Sequence, residues 1–327
     1  MQKQKANILV VMVPCFNEEK TIAELVKRIP RKINGVSQVK VLVLNDGSKD
    51  NTVSQAKKAG ADKIYSHYPN KGLGVTFRKG LEEALRMGAN VIVNIDADLQ
   101  FNPEDIPLIA KPVIQGVADM CTATRFAVKE LEPKMPFIKK FGNLFFTKLI
   151  SLILNKKFTD TQCGFRAYSK EAALRANLFG KFTYTQETFI NLANKGMIIT
   201  EVPIKVRGER EHGKSKIVKS WWAYGIKSGI IITRAIVDSH PLKFFGLLGG
   251  TLFAVGFFPG LWLFIRWLNL GITHPYSSLI TFSATFMILG FLLLILALLS
   301  DLIDRQKKLV EESIYLQKKM MLENNKK

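Results

Sequence analysis

The chain is predicted to be an α/β protein: a doubly wound, mostly parallel sheet domain followed by a two-helix transmembrane hairpin. Three observations predict it. Between residues 6 and 125, short β-rich apolar runs alternate with stretches of helical spacing, the pattern of a parallel sheet with helical crossovers. Phe244 to Ile265 and Ser277 to Ser300 are almost unbroken apolar sequence, each reaching the roughly 20 residues a helix needs to cross the hydrocarbon core. Hydrophobic residues make up 47% of the 327 residues although 23% are charged, which excludes a disordered chain and a small disulfide scaffold.

The elements follow in order. ANILVVMVP, from Ala6, is apolar and β-rich and passes straight into a polar loop, so it is read as a first strand rather than a signal peptide. Glu18 to Lys32 has helical spacing, with Asn17 as a candidate N-cap and two glutamates in the first turn. VKVLVLND, ending at Asp46, is a second strand, followed by helices over Thr52–Ala59 and Val75–Met87 and the strand NVIVNID, ending at Asp96. Two later segments carry apolar and basic residues together. Residues 136–157 mix Phe, Leu and Ile with Lys139, Lys140, Lys148, Lys156 and Lys157; residues 215–243 set Trp221, Trp222 and Tyr224 among Lys216, Lys219, Lys227 and Arg234. Both suit helices lying in a membrane headgroup layer. The expected organisation is an α/β domain over residues 1–240, two spans over 244–300, and a charged helical tail over 301–327. The tail is read either as a solvated helix or as one that pairs subunits in a homo-oligomer.

The formal net charge is +20. Residues 244–300 carry only Arg266, and the tail from Asp301 has seven Lys/Arg against five acids, leaving +17 for residues 1–243. Lys/Arg excess near the ends of spans marks the cytoplasmic side. Both termini and the α/β domain are therefore expected in the cytoplasm, with the 269–276 loop outside, in an integral protein of the cell membrane. The basic charge then fits anionic lipid, and no nucleic-acid-binding motif accompanies it. Three widely spaced cysteines, Cys15, Cys121 and Cys163, form no zinc pattern and are expected to be reduced.

Ligands of doubly wound sheets collect at the carboxyl ends of the strands. Here those ends read PCFNEE (from Pro14), NDGSKDNT (from Asn45) and DADLQ (from Asp96). Two carboxylates at Asp96 and Asp98, just past a buried strand, suit a hard divalent ion that also holds phosphates. An Asp at position 46 can accept hydrogen bonds from a nucleobase edge.

These three motifs resemble a family 2 glycosyltransferase of the GT-A type. Downstream, Asp160-Thr-Gln-Cys-Gly-Phe-Arg166, Glu187, Glu201-Val-Pro-Ile and Arg210-Glu-His-Gly-Lys-Ser-Lys216 are similar to the polyprenyl-phosphate glycosyltransferases, the dolichyl-phosphate mannose synthase-like group. The two spans resemble the membrane anchor of bacterial members. The resemblance implies that Pro14, Phe16, Glu18 and Asp46 line the nucleotide pocket, with Phe16 where the family more often has Tyr. Asp96, beside Ala97, would contact the nucleotide sugar or its diphosphate. Asp98 and Gln100 would bind Mg²⁺ or Mn²⁺, and Arg210 and Lys216 would clamp the donor diphosphate. Arg125 would hold the acceptor phosphate. In some members a second arginine assists it, where this chain has only Lys139 and Lys140, point charges without a planar fork. Asp160 is taken as a site residue without an assigned role.

The implied reaction is inverting transfer of a sugar from a UDP- or GDP-linked donor to undecaprenyl or dolichyl phosphate at the cytoplasmic face. The acceptor is already an anion, so positioning and charge neutralisation carry the catalysis. Two other readings stand beside it: a GT-A enzyme using another lipid or glycan acceptor, and a catalytically silent membrane-bound scaffold. A dinucleotide oxidoreductase is disfavoured, because KGLGVTF (Lys71–Phe77) lacks the third glycine of the fingerprint.

Overall fold

The computed structural model describes residues 7–133, 135–178, 184–207 and 241–324. It divides into two compact units, Met1–Ile217 with Tyr315–Lys327, and Val218–Ile314.

In the first unit, strands β1 (Ile8–Cys15), β2 (Gln38–Asn45), β3 (Lys63–Ser66), β4 (Val91–Asn94), β5 (Met120–Thr124), β6 (Arg166–Ser169) and β7 (Ile199–Pro203) form one sheet. Their order is β3-β2-β1-β4-β6-β5-β7. The pairs β1–β2, β1–β4, β2–β3 and β5–β7 are parallel. Strand β6 is antiparallel to both β4 and β5, so those two run in the same direction. The carboxyl ends of β1, β2, β4, β5 and β7 therefore lie along one edge, and strand order reverses between β1 and β4.

The apolar strand runs are explained by burial on both faces. Leu9, Val11 and Val13 of β1 enter one core with helices α1 (Ile22–Arg28), α2 (Thr52–Lys58) and α4 (Ile106–Ile114). Val10 and Met12 enter the other with α3 (Leu73–Arg86), α6 (Lys170–Arg175) and α7 (Thr185–Asn194). The helix expected over Glu18–Lys32 is shorter than its pattern. Asn17 takes a left-handed φ of 53° and is not the cap. Thr21 occupies that position, and the backbone at Ile29 is already extended, with ψ 122°. The residue before Pro30 disfavours α geometry, which ends the helix there.

Helix α5 (Phe137–Leu154) covers one of the apolar-plus-basic segments. It buries Phe146 and Ile150 and exposes Phe141, Leu144, Phe145 and Leu152. Most of the other segment, residues 215–240, lies outside the described residues.

The second unit is built on α8 (Pro241–Leu270) and α9 (Ser277–Asn324), both long and apolar enough to cross a membrane. Their large side chains face outward: Leu247 is 74% exposed, Phe258 66% and Leu298 62%. The helices meet through glycines, since a Cβ at Gly256 would stand 2.6 Å from the backbone N of Met287.

Helix α9 continues past the apolar stretch, and its last residues pack within the first unit. Tyr315 is 7% exposed and joins the core with α3 and α6. Its hydroxyl donates to Glu171 Oε2 at 3.1 Å, and the Arg175 guanidinium lies 4.1 Å from its ring centroid. Lys318 Nζ donates to Asn177 Oδ1 at 3.3 Å, and burial lowers its pKa. This part of the tail is not a solvated helix.

Candidate active site

The site begins where β1 and β2 leave the sheet. Their two turns are joined by reciprocal hydrogen bonds. Asn17 N donates to Ser48 Oγ and Lys49 N to Asn17 Oδ1, each at 2.9 Å. Glu18 N donates to Thr52 Oγ1 at 2.9 Å, Glu19 N to Asp50 Oδ2 at 3.2 Å, and Asn51 N to Glu19 Oε2 at 3.1 Å. Burial raises the Asp50 pKa, but hydrogen bonds from Thr52 and the Glu19 amide outweigh it and hold the carboxyl below its ordinary value. The two strand ends stay adjacent up to these turns, with Asp46 N donating to Cys15 O at 2.9 Å. Pro14 is buried, and Phe16 and Glu18 are half-buried.

Asp46 is 6% exposed. Its Oδ1 accepts from Lys71 N and its Oδ2 from Gly72 N, both at 2.9 Å. The carboxylate thus ties the end of β2 to the start of α3, keeping lone pairs for a further donor. His67, just past β3, was not singled out in the sequence. It is 7% exposed with Nε2 buried and unpartnered; burial lowers its pKa, against the nearby Asp46 charge.

Beyond β4 the chain turns through Asp96, Ala97, Asp98, Leu99 and Gln100. Leu99 has a left-handed φ of 58°, uncommon for a bulky residue and a mark of a constrained turn. Its side chain is buried, as are Ala97 and Asp98. Gln100 N donates to Asp98 Oδ1 at 3.2 Å. Below this turn, Asn94 Nδ2 donates to Gly164 O at 2.9 Å and to the Tyr184 hydroxyl at 2.8 Å. A Cβ at Gly164 would lie 2.9 Å from that hydroxyl and 3.0 Å from Asp96 Oδ2. Only glycine lets the Asp96 carboxylate and Tyr184 approach this backbone so closely. Tyr184 stacks on Phe77, with centroids 3.9 Å apart and planes at 9°. Burial, with the Asp96 charge, raises the pKa of its hydroxyl well above the ordinary value.

Arg125 follows β5 on the same edge. Its Nε donates to Asp160 Oδ2 at 2.6 Å and its Nη2 to Asp160 Oδ1 at 3.0 Å, a bidentate pair. Asp160 is fully buried and also accepts from Gln162 N and Cys163 N. Burial works against the Arg125 charge, but Asp160 more than restores it and raises the guanidinium pKa. The segment from Asp160 to Gly164 thus touches Arg125 at one end and Asp96 at the other. Arg166 pins it from below: Nε donates to Cys163 O at 2.8 Å, Nη1 to Thr185 O at 2.7 Å and Nη2 to Thr161 O at 2.9 Å. Arg166 closes the Asp160–Arg166 motif of the sequence, but its bond to Thr185 is legible only in the fold.

The cysteines supply no nucleophile. All three are free and buried, and burial pushes the Cys163 thiol up to about 12 and Cys121 to about 11. Among the described residues no group of three His, Cys, Asp or Glu stands together as a metal site. The oxygen-bearing side chains of this turn are the Asp96 and Asp98 carboxylates and the Gln100 amide. Hard oxygen donors few enough to leave room for diphosphate and water fit Mg²⁺ or Mn²⁺. Arg210, Lys216 and the side chain of Lys139 lie outside the described residues.

A model of one family, glycosyl transferase family 2, matches residues 10–175. The chain belongs to glycosyl transferase family 2. Among curated relatives of this glycosyltransferase is a UDP-N-acetylglucosamine–dolichyl-phosphate N-acetylglucosaminyltransferase of Methanococcus voltae. It is 30% identical over 61% of this chain and 85% of its own length. An undecaprenyl-phosphate 4-deoxy-4-formamido-L-arabinose transferase of Aeromonas hydrophila is 25% identical over 93% of this chain and 91% of its own. Glucosyl-3-phosphoglycerate synthase of Mycobacterium tuberculosis, solved with Mn²⁺, UDP-glucose and phosphoglyceric acid, superposes with a TM-score of 0.53. The match covers 71% of this chain and 79% of that one at 18% identity, a likeness of fold. The glycosyltransferase thus has the GT-A architecture, with two apolar helices added after it.

Proposed function

We propose that this family 2 glycosyltransferase transfers a sugar, with inversion, from a UDP- or GDP-linked donor to a polyprenyl phosphate at the cytoplasmic face of the cell membrane. One observation carries the reading: a guanidinium, Arg125, is held by a fully buried carboxylate on the same sheet edge as the DADLQ turn, in a chain that also carries two candidate membrane spans. Relatives whose names specify dolichyl or undecaprenyl phosphate, and a polyprenol monophosphomannose synthase of Mycolicibacterium smegmatis, support it.

In this reading Phe16, Glu18 and Asp46 receive the nucleoside, and Asp96 the donor sugar or diphosphate. Asp98 and Gln100 hold a divalent ion, which when bound neutralises charge growing on the leaving diphosphate. Arg210 and Lys216 belong to the same clamp. Arg125 has guanidinium donors beyond the two on Asp160, and they hold the acceptor phosphate against the anomeric carbon. The phosphate attacks as an anion, so no general base is required. Helix α5, exposing Phe141, Phe145 and Leu152 beside Lys148, suits the headgroup layer, and the hairpin anchors the chain to the bilayer that holds the acceptor's isoprenoid tail.

The test is transfer by the full chain in detergent, with Mg²⁺ or Mn²⁺ and a polyprenyl phosphate. A panel of radiolabelled UDP- and GDP-sugars is offered, and label entering the organic phase is counted. The expected result is label from one donor, lost in Asp98→Ala. Donor binding by calorimetry without label in lipid would move the acceptor elsewhere, and neither binding nor transfer would leave the scaffold reading.

A further inference from the structure

Glu201 is a charged residue on β7, the last strand at this edge of the sheet, in register beside Thr122 of β5. Its carboxylate accepts a converging set of donors from a single segment. Thr159 N donates to Oε1 at 3.0 Å and to Oε2 at 2.8 Å, Thr159 Oγ1 to Oε2 at 3.0 Å, and Asp160 N to Oε1 at 2.8 Å. Thr159 Oγ1 also lies 2.6 Å from Thr124 Oγ1, next to Arg125. Two carboxylates therefore act in series: Glu201 holds the backbone of residues 159 and 160, and the Asp160 side chain holds Arg125 at its backbone N, Nε and Nη2.

We infer that Glu201 is a positioning residue for the acceptor phosphate, setting the direction of the Arg125 guanidinium through Asp160. The inference rests on the reading that Arg125 binds that phosphate. The physical reason is geometric. A bidentate pair fixes the plane of the guanidinium only as firmly as its carboxylate is fixed. Asp160 begins a segment of irregular backbone, and its own amide has the Glu201 carboxylate as partner. Without that anchor, Asp160 and Arg125 can remain paired but turn together, and misplaced groups weaken binding and reaction.

The test is a kinetic cycle on the full chain in detergent, with Glu201→Gln, Arg125→Ala and the double variant. Gln keeps the shape of the side chain but offers one acceptor oxygen where the carboxylate offers two. Glu201→Gln is expected to raise KM for polyprenyl phosphate about tenfold and to leave donor affinity by calorimetry within about twofold, whereas in the Arg125→Ala background it adds less than about twofold, as for groups acting through one contact. Glu201→Asp, which keeps the charge but shortens the reach, should fall between wild type and Glu201→Gln, and it replaces Glu201→Gln in the cycle if that variant does not purify. Effects that multiply in the double variant, or a parallel loss of donor affinity, would overturn the inference while leaving the proposed reaction intact. Wild-type enzyme that binds a nucleotide sugar yet transfers nothing to polyprenyl phosphate would overturn the proposed reaction, and the inference with it.

Discussion

The two sides of the candidate site are held by different chemistry. At the ends of β1 and β2, where a nucleotide would sit, the turns are fastened by single hydrogen bonds from backbone amides, three to the neutral side chains of Asn17, Ser48 and Thr52 and two to the Asp50 and Glu19 carboxylates. At the ends of β5 and β7, a buried carboxylate grips a cation and a second carboxylate grips the segment carrying the first. A neutral hydrogen bond contributes about 0.5–1.5 kcal/mol net, while breaking a buried ion pair by removing one partner costs about 3–5 kcal/mol. The first side shares its stability among many small links. The second concentrates it in one pair and gains a fixed guanidinium.

The largest effect expected from this contrast is at Asp160. Asp160→Ala strips Arg125 of its partner and the Gln162 and Cys163 amides of their acceptor. It should lower unfolding free energy by about 3 kcal/mol. Denaturant titration of the detergent-solubilised chain measures it, and a loss no larger than that of Ser48→Ala would break the comparison. Gly164→Ala comes next. The added methyl would press on Tyr184 and Asp96 Oδ2, an overpacking cost of about 1–3 kcal/mol. Because Asp96 must shift, kcat should fall by more than stability alone explains; unchanged turnover at saturating donor and acceptor would remove Asp96 from the reacting centre.

Asp46→Asn is expected to do less. One side-chain oxygen can still accept from Lys71 N or Gly72 N, but the amide nitrogen then faces the other donor. An unsatisfied buried amide costs about 1–3 kcal/mol, felt first as weaker nucleotide binding by calorimetry, with the acceptor KM unmoved. Equal weakening of both substrates would mean that the two sides are not independently held.

How much of this was legible in the sequence follows the same division. Strands β1, β2 and β4 could be read because burial on both faces makes them continuous apolar runs, and their polar ends then stand out. The second half of the sheet hides its pattern. Strand β5 is MCTAT, fully buried yet rich in threonine, and β7 is half-buried. The antiparallel insertion of β6 between β4 and β5 is a long-range pairing with no local signature. Asp160 stands in a motif the sequence offers, but its pairing with Arg125, 35 positions away, has no local signature. Helix α1 was overextended because Asn17 and the two glutamates imitate a cap, whereas the bonds to β2's turn draw the chain aside. The docking of the tail was concealed by its charge, since Tyr315 and Lys318 pack against α6 among exposed lysines and glutamates.

The smallest effect separates backbone conformation from hydrogen bonding on the first side. Asn17 is exposed, sits at φ 53° and makes two of the links between the turns, one through its amide and one through its side chain. Asn17→Ala and Asn17→Gly both delete the side-chain link to Lys49 N and keep the amide link to Ser48. They differ in the backbone term, because a left-handed φ costs an alanine roughly 1–2 kcal/mol and a glycine almost nothing. Glycine also gives the unfolded chain more freedom, which takes back about 0.4–1 kcal/mol. The expected order is therefore Asn17→Ala less stable than Asn17→Gly, by about 1 kcal/mol or less, with both losses well under that of Asp160→Ala. The reverse order would mean that the turn relaxes when its side-chain link is cut. The Asn17 side-chain link would then govern the local backbone, and the first side would be less evenly shared than its other links to Thr52, Asp50 and Glu19 imply.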